Sequence, residues 1–569
     1  MLDVCNSQGG TSCSDQPRET LGFVVFLNNF SVSAQENQSL KDEINRLKKE
    51  HGVPKFPDNS KADKDEEEKE EEATEEEGNK LIKQEEKDKQ KKKKRRNHKK
   101  GPKKELIPID DTQVLELNKT DLPSDAVFKY YAELIQQDVD LVRKNVKYKV
   151  AVYYSASEKR IIRAPLPCSY VGEFGLGIQS LSQLLHRYCD ETHGRLAGLY
   201  KSLGVLISAG TISNFLVKDA DWAVFEQREI LRNGIEYSSY AQIDGTKSVE
   251  KGEGKVTQII CGKYFSVFYT LDDKSRLSVL KAIQGNPIGG LQVKYNEVAE
   301  HFLTVFQVPQ QDKDLLAKLF HSTQQLSLED FEKNMQQAVP KIVNKPTTYS
   351  RIKEAMALGY YHTQTDFPVI EVLLSDAAGE YGKIARYFHG LCWIHDGRYY
   401  KKLVPRVQVH RTILTEIQSQ YWEFYEQLLD FKKLDKKQQI IQKKRLSKRF
   451  DEIFTQTTDY FQVNQCLRRT LNNKDQLLAV LDNPALPLHN NAAELGARRV
   501  VRKRDISFHT WSKKGTQVRD AFMTIVETAA KLNVSALSYI KDRISGKYEM
   551  TALAELVALA YFYDFTSTF

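Results

Sequence analysis

Three acidic residues stand where a carboxylate is costly unless it is paired or ligates something. Asp244 lies in the run AQIDGTK within a β-rich segment, and Asp376 directly follows the apolar strand VIEVLL. Glu494 sits on a helical stretch beside Ala492, Ala493 and Leu495, in a basic setting. Burying a carboxylate in an apolar strand or helix requires a charge partner or a metal. Carboxylates are the ligands that hard magnesium ions accept, one or two per ion, with water and phosphate oxygens completing the octahedron. Two such ions about 3.5–4 Å apart activate an attacking oxygen and stabilise a leaving one in phosphoryl transfer. Each acid taken singly has a plainer explanation, because aspartates at strand ends are common turn residues.

The segments around these acids narrow the reading. QIDGTK, LLSDAAGEYGKIARYFHGLCWIHDGRYYKKL and PLHNNAAELGARRVVRK closely resemble transposases of the insertion-sequence-66 type, members of the DDE class with a ribonuclease-H-like catalytic fold. The resemblance runs from about Tyr148 to Asp542. It is most specific at Asn490, Asn491, Glu494, Arg498, Phe508, Ser512, Gly515 and Glu527 to Asn533, and Cys392, Trp393, His395 and Arg398 supply a Cys-Trp-x-His-x-x-Arg segment. It implies an α/β fold, a ribonuclease-H-like mixed sheet with helical insertions. It also implies a triad of Asp244, Asp376 and Glu494 holding two magnesium ions, with manganese as a substitute. Water would cut the transposon end, and the freed 3′-hydroxyl would attack target DNA in line without a covalent enzyme intermediate. The implied partners are double-stranded DNA, further copies of the chain in a homodimer or larger assembly, and accessory proteins.

Two departures qualify the resemblance. The family usually has Asp-Glu-Thr at the first motif, where this chain has Asp244-Gly245-Thr246. The family often carries a cysteine-rich zinc knuckle after the basic linker, yet no cysteine lies between Gly101 and Pro167, so zinc-dependent DNA reading is not implied. Two other classes stay open: a domesticated DNA-binding protein that keeps the fold without catalysis, and a stand-alone nuclease of similar fold.

Several basic groups are candidates for DNA contact. His395 and Arg398 would meet phosphates near the metals, or else form a structural ion pair and a core histidine. Arg498, Arg499, Arg502, Lys503 and Arg504 crowd the stretch after Glu494 more densely than a solvated face needs, which favours contact with the DNA backbone. Asn490 and Asn491 are suited to cap the Glu494 helix. Lys91, Lys92, Lys93, Lys94, Arg95 and Arg96 open a basic block reaching Lys104. That block reads either as a solvated tether or localisation-like patch, or as a sequence-independent grip on phosphates.

The elements that position these residues follow from length and patterning. The chain has 569 residues, 40% hydrophobic and 28% charged, with a net charge of +8, which suits a soluble multi-domain protein and permits a nucleic-acid partner. The longest early apolar run, Leu21 to Phe30, falls short of the roughly 20 residues that span a bilayer, and no signal-peptide pattern accompanies it. The seven scattered cysteines form no CxxC pair, arguing for a reducing compartment and against both a disulfide framework and a structural zinc knuckle, and the resemblance implies a cytoplasmic, nucleoid-associated setting. Residues 1–60 carry a short amphipathic helix at Leu40, Ile44 and Leu47, about two heptads where a sustained coiled coil needs at least three or four, which leaves a dimerising coiled coil open. Residues 61–104 are an acidic then basic linker expected to be disordered. A helical DNA-binding region follows at 105–235. It includes helical spacing over Phe128–Val142, and His193–Leu216 reads as a helix-turn-helix or as an ordinary helical hairpin. The catalytic core is expected at 236–405, with strands at Tyr240–Val249, Lys255–Cys261, Tyr264–Leu271, Val369–Leu374 and Leu391–Ile394, a helix at Glu380–His389, and a helical insert over about 281–360. A helical insertion at 406–480, closing core helices at 481–545 and a tail at 546–569 complete the expected order.

Overall fold

The computed structural model describes residues 109–115 and 128–566, apart from 129, 133, 140, 168, 169, 171, 288 and 321–324. The expected helix around Leu40, the charged linker and its basic block lie outside the described residues. The chain divides into two units, Met1–Asp138 and Val139–Phe569. The described residues of the first unit form no helix or strand, and the helical spacing of Phe128–Val142 is not realised, with Leu134 and Val142 exposed. A helix of that length is marginal in water unless its apolar face is packed.

The second unit opens with an exposed hairpin of β1 (Val152–Ser155) and β2 (Arg160–Arg163). Three helices follow, α1 (Leu176–Arg187), α2 (His193–Ser202) and α3 (Ala209–Phe215). Leu196, Tyr200, Ile212 and Leu216 bury a small core between α2 and α3, with Leu181 and Leu185 of α1 packed against it. After α4 (Asp221–Tyr237) come β3 (Ala241–Glu250), β4 (Glu253–Cys261) and β5 (Ser266–Leu271), all antiparallel neighbours. Lys251 and Gly252, both with positive φ, make the two-residue turn between β3 and β4 whose twist matches the flanking strands.

The first insertion contains α5 (Arg276–Ile283), β6 (Gln292–Lys294), α6 (Glu297–Val305), α7 (Gln310–Leu319), β7 (Gln325–Ser327), α8 (Leu328–Ala338), α9 (Pro340–Val343) and α10 (Pro346–Thr363). It is not a detached helical lobe. Val293, Leu303, Phe331 and Tyr361 share one core with Ile243 and Val267 of the sheet, and β6 pairs with β7 in a short ribbon.

The chain then returns through β8 (Val372–Ser375) and β9 (Phe388–Leu391), which extend the sheet in the order β5-β4-β3-β8-β9 with β3, β8 and β9 parallel. The helix expected over Glu380–His389 does not form. A single 3-10 turn at Gly379–Tyr381 is followed by residues that pair with β8 from Phe388, so non-local strand pairing overrides local propensity. A mixed sheet flanked by helices is loosely consistent with the ribonuclease-H-like expectation.

Beyond β9 lie α11 (Trp393–Lys401), α12 (Gln408–Phe431), α13 (Lys436–Phe454), α14 (Phe461–Asn472) and α15 (Lys474–Leu477). This second insertion has its own core, in which Ile417, Tyr421, Phe424, Leu428 and Phe431 of α12 meet Phe450 and Phe454 of α13. Lys432 turns inward to the Leu486 carbonyl (2.7 Å) instead of facing solvent.

The chain closes with α16 (Asn491–Ser507), α17 (Lys513–Lys531), α18 (Ala536–Ser545) and α19 (Leu553–Thr566). Ser512 caps α17 by accepting from the Gly515 N–H at 3.0 Å. On α17, Asp520, Thr524 and Thr528 recur every fourth residue and accept the N–H groups of Thr270, Phe268 and Ser266 on β5. Four helical residues rise about 6 Å and two strand residues about 6.8 Å, so the two spacings nearly match. An edge strand that would otherwise present free N–H groups is thereby covered. Among the described residues, no helix is long and apolar enough to cross a membrane.

Candidate functional site

Asp244 and Asp376 are brought together by strand register. Ala241 pairs with Leu373 and Gln242 with Leu374. Continuing that register by two residues sets Asp244, within β3, level with Asp376, the residue that follows the end of β8. Both are half-buried. Asp376 folds back to accept the Ala378 N–H (3.1 Å), and Asp244 accepts the Gly245 N–H (2.8 Å).

Tyr381 stands beside both acids. Burial first, then the carboxylates of Asp244 and Asp376, hold its hydroxyl well above the ordinary tyrosine range, so it is a proton donor, here to Gln258 at 3.2 Å. A Cβ at position 245 would lie 2.9 Å from the Tyr381 hydroxyl and 3.1 Å from Gln258 Oε1. Gly245 keeps a Cβ out of the space that the Tyr381 hydroxyl and the Gln258 amide fill beside Asp244, which gives the Asp-Gly-Thr departure a physical reason.

Glu494 approaches from α16. Gly496, two residues on, has no side chain to hold the helix away from β4, where a Cβ would come within 2.7 Å of Ile259. At the start of the helix Asn490 is fully buried and occupies the N-cap position. It makes no side-chain capping bond, and instead its amide donates to the Ile243 carbonyl (2.9 Å), one residue before Asp244.

The Glu494 carboxylate itself is turned to α11. Its two oxygens lie 3.3 Å from His395 Nδ1 and 3.3 Å from Arg398 Nη2. Cys392, at the N-cap of α11, is buried beside them, and its thiol is pushed up to about 12 by burial and then by the Glu494 charge. Among the described residues, the one grouping of three potential ligand atoms all within 4.8 Å of one another is Cys392, His395 and Glu494. Asp244 and Asp376 stand outside it. Thiolate and imidazole suit softer ions, whereas magnesium demands an octahedron of oxygens. The expectation of two magnesium ions, or of manganese in their place, is corrected on this ground: the donors that converge here do not fit it. A cleft of about 240 Å³ opens alongside, lined by Asp376, Cys392, His395, Asp396, Tyr399 and Arg469 among others.

The basic residues after Glu494 separate into two sets. Arg499 pairs with Asp190 (3.1 Å) and Glu527 (3.2 Å), and also donates to the carbonyls of Arg187 and Tyr188. Lys503 is buried against the His186 carbonyl at 2.5 Å, and Arg504 donates to the Lys247 carbonyl at 3.0 Å. Arg502 is exposed and Arg498 half-buried. Lys91, Lys92, Lys93, Lys94, Arg95 and Arg96 lie outside the described residues.

Burial, followed by the Arg187 charge, lowers Lys503 from 10.5 to about 7. A lysine lowered in the fold opposes folding while charged, so its contribution to stability rises as pH climbs from about 7 to 10.5 and is level above that window. Lys503→Met removes this dependence. The stability difference between parent and variant should shift toward the parent by up to about 1.4 kcal/mol per pH unit across that range. Urea midpoints at several pH values measure it, and a difference that ignores pH would mean the ammonium is solvated.

Sequence reasoning found the acids but missed Tyr381, which carries no motif of its own. The Cys-x-x-His spacing of Cys392 and His395 at a helix start is the sequence signal for this cluster.

The comparisons with known proteins bear on part of this site. Residues 346–518 match the model of the transposase IS66 family. An uncharacterised protein of Sinorhizobium fredii, y4jO, is 28% identical over 344 residues, covering 58% of this chain and 98% of that protein. No solved structure matches the chain. The matched family segment runs from the start of α10 into α17, so it includes Asp376, the Cys392–His395 turn and Glu494, and leaves Asp244 outside: the chain carries a partial transposase-like domain.

Proposed function

We propose that this chain is a DNA-binding protein built on a transposase-like, ribonuclease-H-type core, in which the third acid is withheld from catalysis. The observation that carries this reading is the state of Glu494, whose two oxygens face His395 and Arg398 on α11 in a cluster that excludes Asp244 and Asp376. A carboxylate held between an imidazole and a guanidinium is poorly placed to serve a reacting phosphate. DNA would lie along the Glu494 helix, with Arg498 and Arg502 as phosphate contacts and Lys91 to Arg96 as a tethered grip. Arg499, Lys503 and Arg504 support the helix from within.

A second reading, cleavage of DNA ends and strand transfer by Asp244, Asp376 and Glu494, is favoured by one specific feature. The parallel register levels the two aspartates, and Asn490 ties the helix of the glutamate to the same strand.

Full-length protein incubated with random duplex and with supercoiled plasmid, across a panel of divalent cations, separates the two. The proposal expects binding that weakens with salt as phosphate contacts are lost, and no nicking or joining. Glutamine substitution of the lysines and arginines in 91–104 should weaken binding alike for every sequence and flatten the salt slope. Failure to bind duplex at low salt would overturn DNA binding. Nicking or joining that disappears in Asp244→Asn, Asp376→Asn and Glu494→Gln would establish the second reading instead.

A further inference from the structure

We propose that Cys392, His395 and Glu494 form a zinc site that joins α11 to α16. The inference rests on the local geometry and stands whether or not the chain binds DNA.

Three donors of different hardness, a thiol, an imidazole and a carboxylate, meet with all ligand atoms within 4.8 Å of one another. Cys392 and Glu494 are buried, at 1% and 8% exposure, so their convergence is a built feature of the interior and not a chance meeting of surface groups. Zinc bound at about 2.0–2.2 Å by nitrogen and oxygen in a tetrahedron needs those atoms about 3.3–3.5 Å apart. His395 Nδ1 and Glu494 Oε1 are 3.3 Å apart.

Three backbone N–H groups converge on the sulfur. The Asn490 N–H reaches Cys392 Sγ at 3.3 Å, and the backbone N–H groups of Ile394 and His395, in the first turn of α11, also point to it. Donors of this kind stabilise negative charge on sulfur at a helix start. Arg398 holds the other oxygen of Glu494 at 3.3 Å, an outer partner that fixes the carboxylate while leaving Oε1 toward the imidazole. With three protein ligands the fourth position is open, and the cleft lined by Asp376, Asp396 and Tyr399 gives a route for the ion and room for a water.

Binding balances simply. The Cys392 S–H bond breaks and its proton passes to buffer; sulfur, imidazole nitrogen and a carboxylate oxygen each donate a lone pair to zinc, with no change of oxidation state. Because the ligands come from α11 and α16, the ion would fasten Glu494 to α11.

The test uses the reduced full-length chain with zinc alone, read by competition against a chromophoric chelator, and with cobalt as a spectroscopic substitute. The expected result is zinc uptake that excess magnesium does not displace, a thiolate-to-cobalt charge-transfer band, and a raised melting temperature. Cys392→Ser and His395→Gln should each weaken binding by more than the roughly 10–100-fold typical of losing an outer partner, while Cys189→Ser, at an exposed thiol elsewhere, should leave it unchanged. Should Cys392→Ser fail to fold, His395→Gln keeps the thiol and must still weaken zinc and alter the cobalt spectrum. The proposal is overturned if the parent takes up no zinc against the chelator, or if affinity and cobalt spectrum are the same in parent and His395→Gln.

Discussion

The Asp520→Ala variant is expected to lose about 3–5 kcal/mol of stability, the range for stripping one partner from a buried ion pair. Asp520 and Arg519 are adjacent on α17 and both are buried. One carboxylate oxygen accepts from Arg519 Nε (3.0 Å) and Nη2 (2.8 Å), and the other accepts the Thr270 N–H (2.7 Å). Arg519 Nη2 also donates to the Thr270 hydroxyl at 2.6 Å. Removing the carboxylate therefore leaves a guanidinium with hydroxyl partners but no counter-charge, and an edge-strand N–H without an acceptor, each at a desolvation cost. The double variant Arg519→Met with Asp520→Leu should recover part of the loss, because the stranded charge goes with its partner, but not the part due to Thr270. Urea midpoints of the parent and the variants measure both effects. A single variant within about 0.5 kcal/mol of the parent, the usual span for surface substitutions, would show that water reaches this pair.

What was legible in the sequence divides along the line between local and non-local causes. The strands β3, β4, β5 and β8 were readable to within a few residues, because alternation and apolar runs are properties of each segment alone. The acids were readable for the same reason, since a charged residue at the end of an apolar run stands out. The state of those acids was not. Glu494 faces His395 and Arg398 because α11 lies beside α16 in space, and nothing within the Asn490–Arg504 run shows that. Arg499 and Lys503 read as DNA contacts by density, yet their partners include Asp190, Glu527 and the His186 carbonyl, all distant in sequence. The first insertion reads as a helical insert because its polar helices dominate the text, while the side chains that tie it to the sheet, Val293, Leu303, Phe331 and Tyr361, are thinly spread. The magnesium expectation came with the family resemblance and the acids' residue type, neither of which says which neighbours share a ligand sphere.

Trp393 lies where the second insertion meets the acidic site, and Trp393→Ala should cost about 3–5 kcal/mol, as for other buried large-to-small changes. Trp393 is the first residue of α11 and is wholly buried. Its ring centroid lies 5.4 Å from Tyr421, 5.6 Å from Phe424 and 6.2 Å from Phe450, and its indole N–H donates to the Leu477 carbonyl at 2.9 Å. Truncation would open a cavity between α12 and α13 and leave that carbonyl unpaired. The same residue adjoins Cys392 and precedes His395 and Arg398 by two and five positions, so a shift at the helix start also moves the groups that hold Glu494. The sheet has a separate core, to which Trp393 does not belong. Amide exchange should therefore speed up across α12, α13 and α14 while β3, β4 and β5 keep their protection. Uniform loss of protection in both would show that the insertion and the sheet unfold as one unit, and that Trp393 supports the whole fold instead of fastening one lobe to the site.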